Sequence, residues 1–199
     1  MLLVINNRSH FIADLEKRLQ ELKVKYELID KANMKKVKNL HKYHGVILSG
    51  GPMLLDEKIY LEDISVDLAC LMDCQGPMLG ICLGHQIIGE TFGGKLKRLK
   101  NLVNKMNAVT ILDQKGILKG VGKKIKVQEA HHDAIVKLPP EFMLLASSRG
   151  TKIEAMMHEH RKIYSVQFHP EVSGGVGKKI LKNFVDICKK DLKERKKKK

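Results

Sequence analysis

Cys82 stands at a point of the sequence where a side chain could serve as a nucleophile. It follows an apolar run, residues 77–81, that breaks at Gly80 and resumes beyond Gly84 with a helical pattern. A strand that turns sharply into a helix exposes the turn residue, and the helix N-terminus favours a thiolate and offers free N–H groups to an oxyanion. A buried structural cysteine is the alternative, because free cysteine is among the most buried residue types.

Two further segments could complete such a site. His169 and Glu171 end an apolar strand two residues apart, which is the arrangement needed for a base and the carboxylate that orients it. A hydrogen-bonded structural histidine is the alternative interpretation of His169. The segment 46–52 ends another strand in a Ser-Gly-Gly-Pro turn, whose N–H groups can approach a ligand closely.

These three segments together resemble the class I (triad) glutamine amidotransferases. The marks of that family are a strand ending in SGGP, a GxCxGxQ turn and an FHPE ending, and all three stand here in that order. The resemblance spans about Leu2 to Cys188. It implies an enzyme that hydrolyses the side-chain amide of glutamine with Cys82, His169 and Glu171 as its triad, without a metal or cofactor in this chain.

The family resemblance also implies roles for the residues around the triad. Cys82 would attack the amide carbon, and backbone N–H groups of Leu83 and Gly51 would bind the oxyanion. Gln86 would contact the bound glutamine. Backbone groups near His132 and Asp133 would receive its amino-acid end.

Hydrophobic periodicity predicts the elements that position these residues. Strand and helix alternate up to Gly94, which indicates a parallel, helix-covered sheet with ligands at the carboxyl ends of its strands. From Lys95 onward we predict short strands at 108–112, 125–128, 142–147, 153–157 and 163–168, then a final helix around Phe184. The resemblance implies an α/β protein with the three-layer, flavodoxin-like fold of class I amidotransferases, in which a mostly parallel central sheet carries antiparallel additions. A helix is also predicted at 35–42.

Composition limits the other classes of function. The 199 residues carry four cysteines and a net charge of +15, and the densest basic run lies at 189–199. We predict one amidotransferase domain at 1–188, followed by a basic tail that is a solvated helix end. No interleaved aromatic residues suit base stacking, so nucleic acid is an unexpected partner. No membrane span or disulfide framework is indicated, and the cytoplasm is the expected location.

Two segments bear on which amidotransferase this is. Residues 130–133, Ala-His-His-Asp, are similar to the S-H-x-D motif of GMP synthase glutaminases, and residues 154–156 also match that group. This resemblance to the archaeal two-subunit type implies a separate ATP-pyrophosphatase synthetase as partner, which would use ATP and magnesium to aminate xanthosine monophosphate (XMP). Ala130 replaces the motif's serine, and residues 6–10, Asn-Asn-Arg-Ser-His, replace the family's usual continuation of the first strand.

Three alternative functions stay open at this stage. The chain could serve an anthranilate or aminodeoxychorismate synthase, or hydrolyse γ-glutamyl compounds without a partner. It could also keep the fold as a regulatory or nucleic-acid-binding protein. For the amidotransferase, we predict that a partner docks on the rim around Cys82, including residues 53–57 and 131–133.

Overall fold

The computed structural model describes residues 1–30, 39–52 and 60–197 of the chain. Strands and helices alternate in its first half, as the periodicity predicts. Within the described residues the elements are β1 (Leu2–Asn6), α1 (Ile12–Glu21), β2 (Tyr26–Asp30), β3 (Val46–Leu48), α2 (Tyr60–Asp73), β4 (Met78–Ile81), α3 (Leu83–Thr91), β5 (Lys95–Ile111), β6 (Lys124–Lys137), β7 (Phe142–Ser147), β8 (Ala155–His158), β9 (Ile163–Val166) and α4 (Gly174–Lys197).

All the described strands belong to one mixed sheet, in the order β2-β1-β3-β4-β9-β8-β7-β5-β6. Neighbours from β2 to β9 pair in parallel, whereas β8, β7, β5 and β6 are added by antiparallel pairing. This arrangement confirms the predicted α/β fold with antiparallel additions. It also places the ends of β3, β4 and β9 side by side at one edge, where the three candidate motifs follow them.

Helices cover both faces of the parallel strands. Alternate residues of β1 point to opposite faces, so that Leu2 and Val4 join a core formed with α1 and α4. Leu3 and Ile5 join a second core formed with α2 and α3. The result is the expected three-layer arrangement, with the sheet in the middle.

The hairpin of β5 and β6 is much longer than the strands predicted at 108–112 and 125–128. Most of β5 before Val109 is exposed or half-buried, because Lys and Asn residues occupy it, and it lacks the apolar run that marks a buried strand. Its pairing with β6 supplies the backbone hydrogen bonds instead. The hairpin packs against α3 through Ile135, which lies so close to Gly89 that a methyl group there would collide with it.

The basic C-terminal segment is less free than predicted. Helix α4 continues through the expected boundary at 188/189 to Lys197. Asp191 is 6% exposed, and the Lys162 ammonium lies 2.7 Å from its carboxylate and 3.0 Å from that of Glu194. The interpretation of this segment as a solvated end is therefore wrong for Asp191. This buried residue of α4 forms an ion pair with Lys162, the residue before β9.

Two other predictions meet the limits of the described residues. Most of the helix predicted at 35–42 lies outside them, and its described end, Leu40–Lys42, forms a short 3-10 turn. The predicted docking loop at 53–57 lies outside them entirely. No helix in the described ranges is both long and apolar enough to cross a membrane.

Candidate active site

Cys82 occupies the sharp turn between β4 and α3. Its φ of 49° is in the left-handed region, which costs a non-glycine residue on the order of 1–3 kcal/mol. Its N–H donates to the Val166 carbonyl oxygen at 2.9 Å, which holds the turn to the end of β9. A methyl group at Gly80 would lie 2.6 Å from the Gly84 carbonyl oxygen, so the glycine bracket permits this crossing of strand and helix.

His169 is held over this turn from several sides. Its Nδ1 lies 2.8 Å from a Glu171 carboxylate oxygen. Its backbone N–H donates to the Gln128 carbonyl oxygen at 2.8 Å, and its own carbonyl accepts from the Ser173 hydroxyl at 2.6 Å. The Phe11 ring packs edge-on against the imidazole, with ring centroids 4.8 Å apart. The imidazole is therefore fixed in orientation before any ligand binds.

The environment of His169 favours its charged form. Burial alone would lower the pKa of His169, but hydrogen bonds with Cys82 and Glu171, and their negative charges, outweigh it and raise the pKa to about 10. An imidazolium next to the Cys82 sulfur stabilises a thiolate there. A positively charged imidazole beside the Cys82 sulfur is the arrangement that a cysteine nucleophile needs when it gives up its proton.

The glycine turn after β3 lies beside the nucleophile. A methyl group at Gly51 would collide with the Asn7 carbonyl oxygen and lie 2.8 Å from the Leu83 side chain. The Asn7 backbone N–H donates to the Ser49 hydroxyl at 2.9 Å, which ties the end of β1 to this turn. Leu83 is the first residue of α3, so its N–H has no partner within the helix. The two N–H groups predicted to bind an oxyanion therefore lie in neighbouring segments.

A cavity of about 310 Å³ opens beside Cys82. Its volume falls at the lower end of the range for small-ligand sites. The described residues that line it are His10, Gly51, Pro52, Cys82, Gln86, Leu102, Asn104, Ala130, His131, His132 and Asp133. Five of the predicted site residues thus meet at one cavity, whereas Leu83, His169 and Glu171 are buried and do not line it.

The segment 130–133 of β6 forms one wall of this cavity. The Cys82 thiol lies 3.6 Å from the Ala130 carbonyl oxygen, a contact that this position makes through its backbone. The Asp133 carboxylate lies 3.3 Å from Arg98 Nε on β5. The Asp133 carbonyl oxygen accepts from Gln86 Nε2 at 2.7 Å and lies 3.0 Å from His131 Nδ1. The wall is therefore fastened to both α3 and the hairpin.

Buried ionisable groups support this wall from beneath. His131 Nε2 lies 3.1 Å from a Glu129 carboxylate oxygen, whose other oxygen accepts from Asn107 at 2.8 Å. Burial, with the nearby charge of Glu129, raises the pKa of Glu154 to about 9. Burial lowers the pKa of His85 to about 3 despite its contact with the Ile153 carbonyl oxygen. At neutral pH, Glu154 and His85 are therefore uncharged, and Glu129 is the carboxylate that faces His131.

Several residues at the site are absent from the sequence-based prediction. Leu102 lies in the stretch between Arg98 and Val103 where the pairing of β5 and β6 is irregular, and Asn104 pairs with Ala130 just beyond it; both line the cavity. Bulges of this kind often re-aim side chains beside active sites. His10 belongs to the segment that departs from the family pattern, yet it lines the cavity. The lysine-rich sequence around the bulge gives no signal for these positions.

Metal-ligating side chains do not cluster in the described parts of the chain. Across residues 1–30, 39–52 and 60–197, no group of three or more His, Cys, Asp or Glu side chains is arranged to hold a metal ion.

Comparison with known proteins agrees with this geometry. The family model for class-I glutamine amidotransferases matches residues 3–188. The chain is 37% identical over 195 residues to a subunit of the glutamine-hydrolyzing GMP synthase of Pyrococcus furiosus, covering 94% of this chain and 98% of that protein. It is 35% identical over 189 residues to the protein of the same name from Methanosphaera stadtmanae, covering 94% and 97% of the two chains.

Two solved structures are similar to the whole fold. A crystal structure of a Thermoplasma acidophilum protein named as a GMP synthase subunit superposes with a TM-score of 0.88 and 30% identity, covering 98% of this chain and 96% of that one. A glutamine amidotransferase from Thermotoga maritima gives a TM-score of 0.73 over 98% of this chain and 84% of the other. At 22% identity, that second likeness concerns the fold alone.

Proposed function

Because the chain belongs to the class-I glutamine amidotransferase family, we propose that it is the glutaminase subunit of a two-subunit GMP synthase. The observation that carries the proposal is the convergence of Cys82, His169 and Glu171 beside a cavity walled by Gln86 and residues 130–133. These are the positions at which the chain matches both the family pattern and the motif of that particular group.

The reaction uses Cys82 as the nucleophile and His169 as the group that carries the proton. The Cys82 thiolate attacks the side-chain amide carbon of glutamine, and His169 gives its proton to the departing ammonia. The remaining glutamyl thioester is attacked by water, from which His169 takes a proton, and glutamate leaves as the thiolate reforms. Glu171 holds the imidazole by its Nδ1 throughout and stabilises its charge.

Backbone groups stabilise the two tetrahedral intermediates. The N–H groups of Gly51 and Leu83 bind the oxyanion, and each such donor typically contributes about 2.7–4 kcal/mol of barrier stabilisation. Gln86 contacts the bound glutamine, and backbone groups around His132 and Asp133 receive its amino-acid end. In this scheme the irregular hairpin of β5 and β6 supplies the binding wall, while the parallel strands supply the triad.

The ammonia serves a partner protein. The relatives are each named as one subunit of GMP synthase, which implies a second subunit in those enzymes. For this chain we propose an ATP-pyrophosphatase synthetase in the cytoplasm that binds ATP and magnesium and aminates XMP. Ammonia released into water at neutral pH is protonated and loses its nucleophilicity, so hydrolysis is useful only when the partner covers the cavity. We therefore expect the free subunit to be nearly idle.

The test compares glutamine turnover by the isolated protein with turnover after addition of the synthetase, ATP and XMP. The proposal predicts strong stimulation that requires all three additions. Full activity of the isolated protein, with less than a few-fold stimulation, would instead identify a stand-alone hydrolase of γ-glutamyl compounds. Stimulation by an anthranilate or aminodeoxychorismate synthase component would assign a different acceptor.

A further inference from the structure

Gln167 is a buried polar side chain beside the nucleophile that the proposed mechanism does not use. It lies between β9 and His169, is 0% exposed, and its backbone N–H donates to the Glu154 carbonyl oxygen at 2.8 Å. The described residues that line the cavity do not include it. Its side-chain hydrogen bonds are with Cys82 and Gln86, and these two residues are the route by which the side chain can act on the reaction.

The hydrogen bonds of Gln86 determine which of its atoms remains for a ligand. Gln86 Nε2 donates to the Asp133 carbonyl oxygen at 2.7 Å and to Gln167 Oε1 at 3.2 Å. A side-chain amide nitrogen carries two hydrogens, so both are committed. Gln86 can therefore contact a ligand in the cavity only through its oxygen, which accepts hydrogen bonds from N–H groups such as an ammonium or a carboxamide.

The donors and acceptors of these hydrogen bonds also determine the orientation of the Gln167 amide. Its Oε1 accepts from Gln86, so its Nε2 must be the atom that points to Cys82, where it lies 3.7 Å from Sγ. The opposite orientation would set two amide N–H groups against each other. A hydrogen-bond donor aimed at a sulfur favours the thiolate over the thiol, because bonds to a charged acceptor are the stronger ones.

We propose that Gln167 is a positioning residue that stabilises the Cys82 thiolate and orients the Gln86 amide so that its oxygen faces the glutamine site. The Gln167 side chain then contacts both the nucleophile, Cys82, and Gln86, the residue that would accept hydrogen bonds from N–H groups of the substrate. The second half of this inference rests on the proposed function, whereas the first half concerns only the chemistry of Cys82.

Alkylation of Cys82 by iodoacetamide in the isolated protein tests the first half. Gln167→Met removes both hydrogen bonds at similar side-chain length. Ser165→Ala is the matched control, since it removes another buried hydrogen bond two residues away on β9, the 2.8 Å contact of Ser165 Oγ with His85 Nδ1. We expect alkylation of Gln167→Met at pH 7 to be about tenfold slower, with its pH profile moved to higher pH, and the control to stay within about twofold of the parent.

Equal alkylation rates for Gln167→Met and the parent protein would overturn this half, and so would an equal loss in Ser165→Ala. Peptide mapping confirms that the label is on Cys82. The experiment needs no glutamine turnover and no partner, so slow alkylation of Gln167→Met together with an inactive parent protein would count against the proposed function alone.

Gln167→Glu separates the two halves. It keeps an oxygen that accepts from Gln86 but replaces the N–H that faces the sulfur. We expect slow alkylation in this variant, with a KM for glutamine near that of the parent protein, whereas Gln167→Met should raise KM several-fold. The same KM in both variants would overturn the proposed orientation of Gln86.

Discussion

Cys82 is the one thiol of the described structure that lines the cavity beside α3. Cys70, Cys74 and Cys188 are buried in the two cores, and burial raises the pKa of the Cys188 thiol to about 12. We predict that Cys82→Ala and Cys82→Ser abolish glutamine hydrolysis and leave the fold intact. A glutamine-analogue alkylator should label Cys82 and spare the other three. Peptide mapping checks this, and a label on another cysteine would contradict the assignment of the site.

The charge on His169 depends on its partners. Because hydrogen bonds with Cys82 and Glu171 raise its pKa to about 10, we predict that the imidazole stays protonated between pH 6 and 8. Activity should fall as the pH rises toward 10, since the proton for the departing ammonia is then lost. In Cys82→Ala the stabilising sulfur is absent, so the ring should titrate at a lower pH. Histidine NMR titration measures this, and an unchanged titration in the variant would contradict a contribution of Cys82 to the pKa of His169.

For single residues, the sequence predicted which ones belong to the site better than it predicted their contacts with one another. Gly51, Cys82, His169 and Glu171 were identifiable because each belongs to a short motif at the end of a predicted strand. Gln167 stands within one of those motifs, yet its contacts depend on which way two buried amides point. A sequence motif holds no information on how two buried amides are oriented. The hydrogen bonds that link Gln86 to Cys82 through Gln167 are therefore visible only in the structure.

The turn after β3 is the element on which oxyanion binding would depend. We predict that Gly51→Ala lowers kcat for glutamine by about 10²–10³-fold, because the added methyl collides with the Asn7 carbonyl oxygen and displaces the N–H donor. Gly150→Ala is the matched control, since a methyl there meets no atom within 4 Å. Steady-state kinetics in the presence of the partner measure both. A Gly51→Ala enzyme as active as the control would exclude this N–H from the oxyanion site.

The elements themselves were predictable to different degrees. Buried parallel strands such as β1 and β3 are short apolar runs, so their positions could be predicted from the sequence. The length of the hairpin of β5 and β6 was underestimated, because the exposed Lys and Asn residues of β5 are typical of a loop. Backbone pairing with β6, which composition does not show, holds β5 in the sheet. The irregular pairing within the hairpin, in the stretch that contains Leu102, depends on register and could not be read from composition.

The whole molecule presents an unusual surface at the mouth of the cavity. Leu102 and Met106, which we call the mouth ledge, are 64% and 52% exposed on β5, and Leu102 also lines the cavity. The strand carries five basic residues and no acidic one. A partner with an apolar patch and acidic neighbours would cover the ledge and close the cavity in the same step. The described part of the rim predicted for docking, residues 131–133, lies beside it.

We predict that charge on the mouth ledge weakens stimulation by the synthetase. Leu102→Glu combined with Met106→Glu should raise the partner concentration needed for half-maximal glutamine turnover by about tenfold or more, because the new charges must be desolvated at the interface. Met72→Glu is the control, since Met72 is 81% exposed on α2, away from the cavity. A titration of activity against synthetase measures the effect. Equal behaviour of both proteins would place the docking surface elsewhere.

Transfer of the amide nitrogen is the most direct test of the central claim. Glutamine labelled with ¹⁵N at the amide would be supplied with this protein, the GMP-forming synthetase, ATP, magnesium and XMP in ammonia-free buffer. We predict ¹⁵N in the amino group of GMP with the parent protein and none with Cys82→Ala, while added ammonium restores GMP formation with that variant. Unlabelled GMP, or labelled GMP at the parent rate with Cys82→Ala, would contradict a glutaminase that feeds its partner through Cys82.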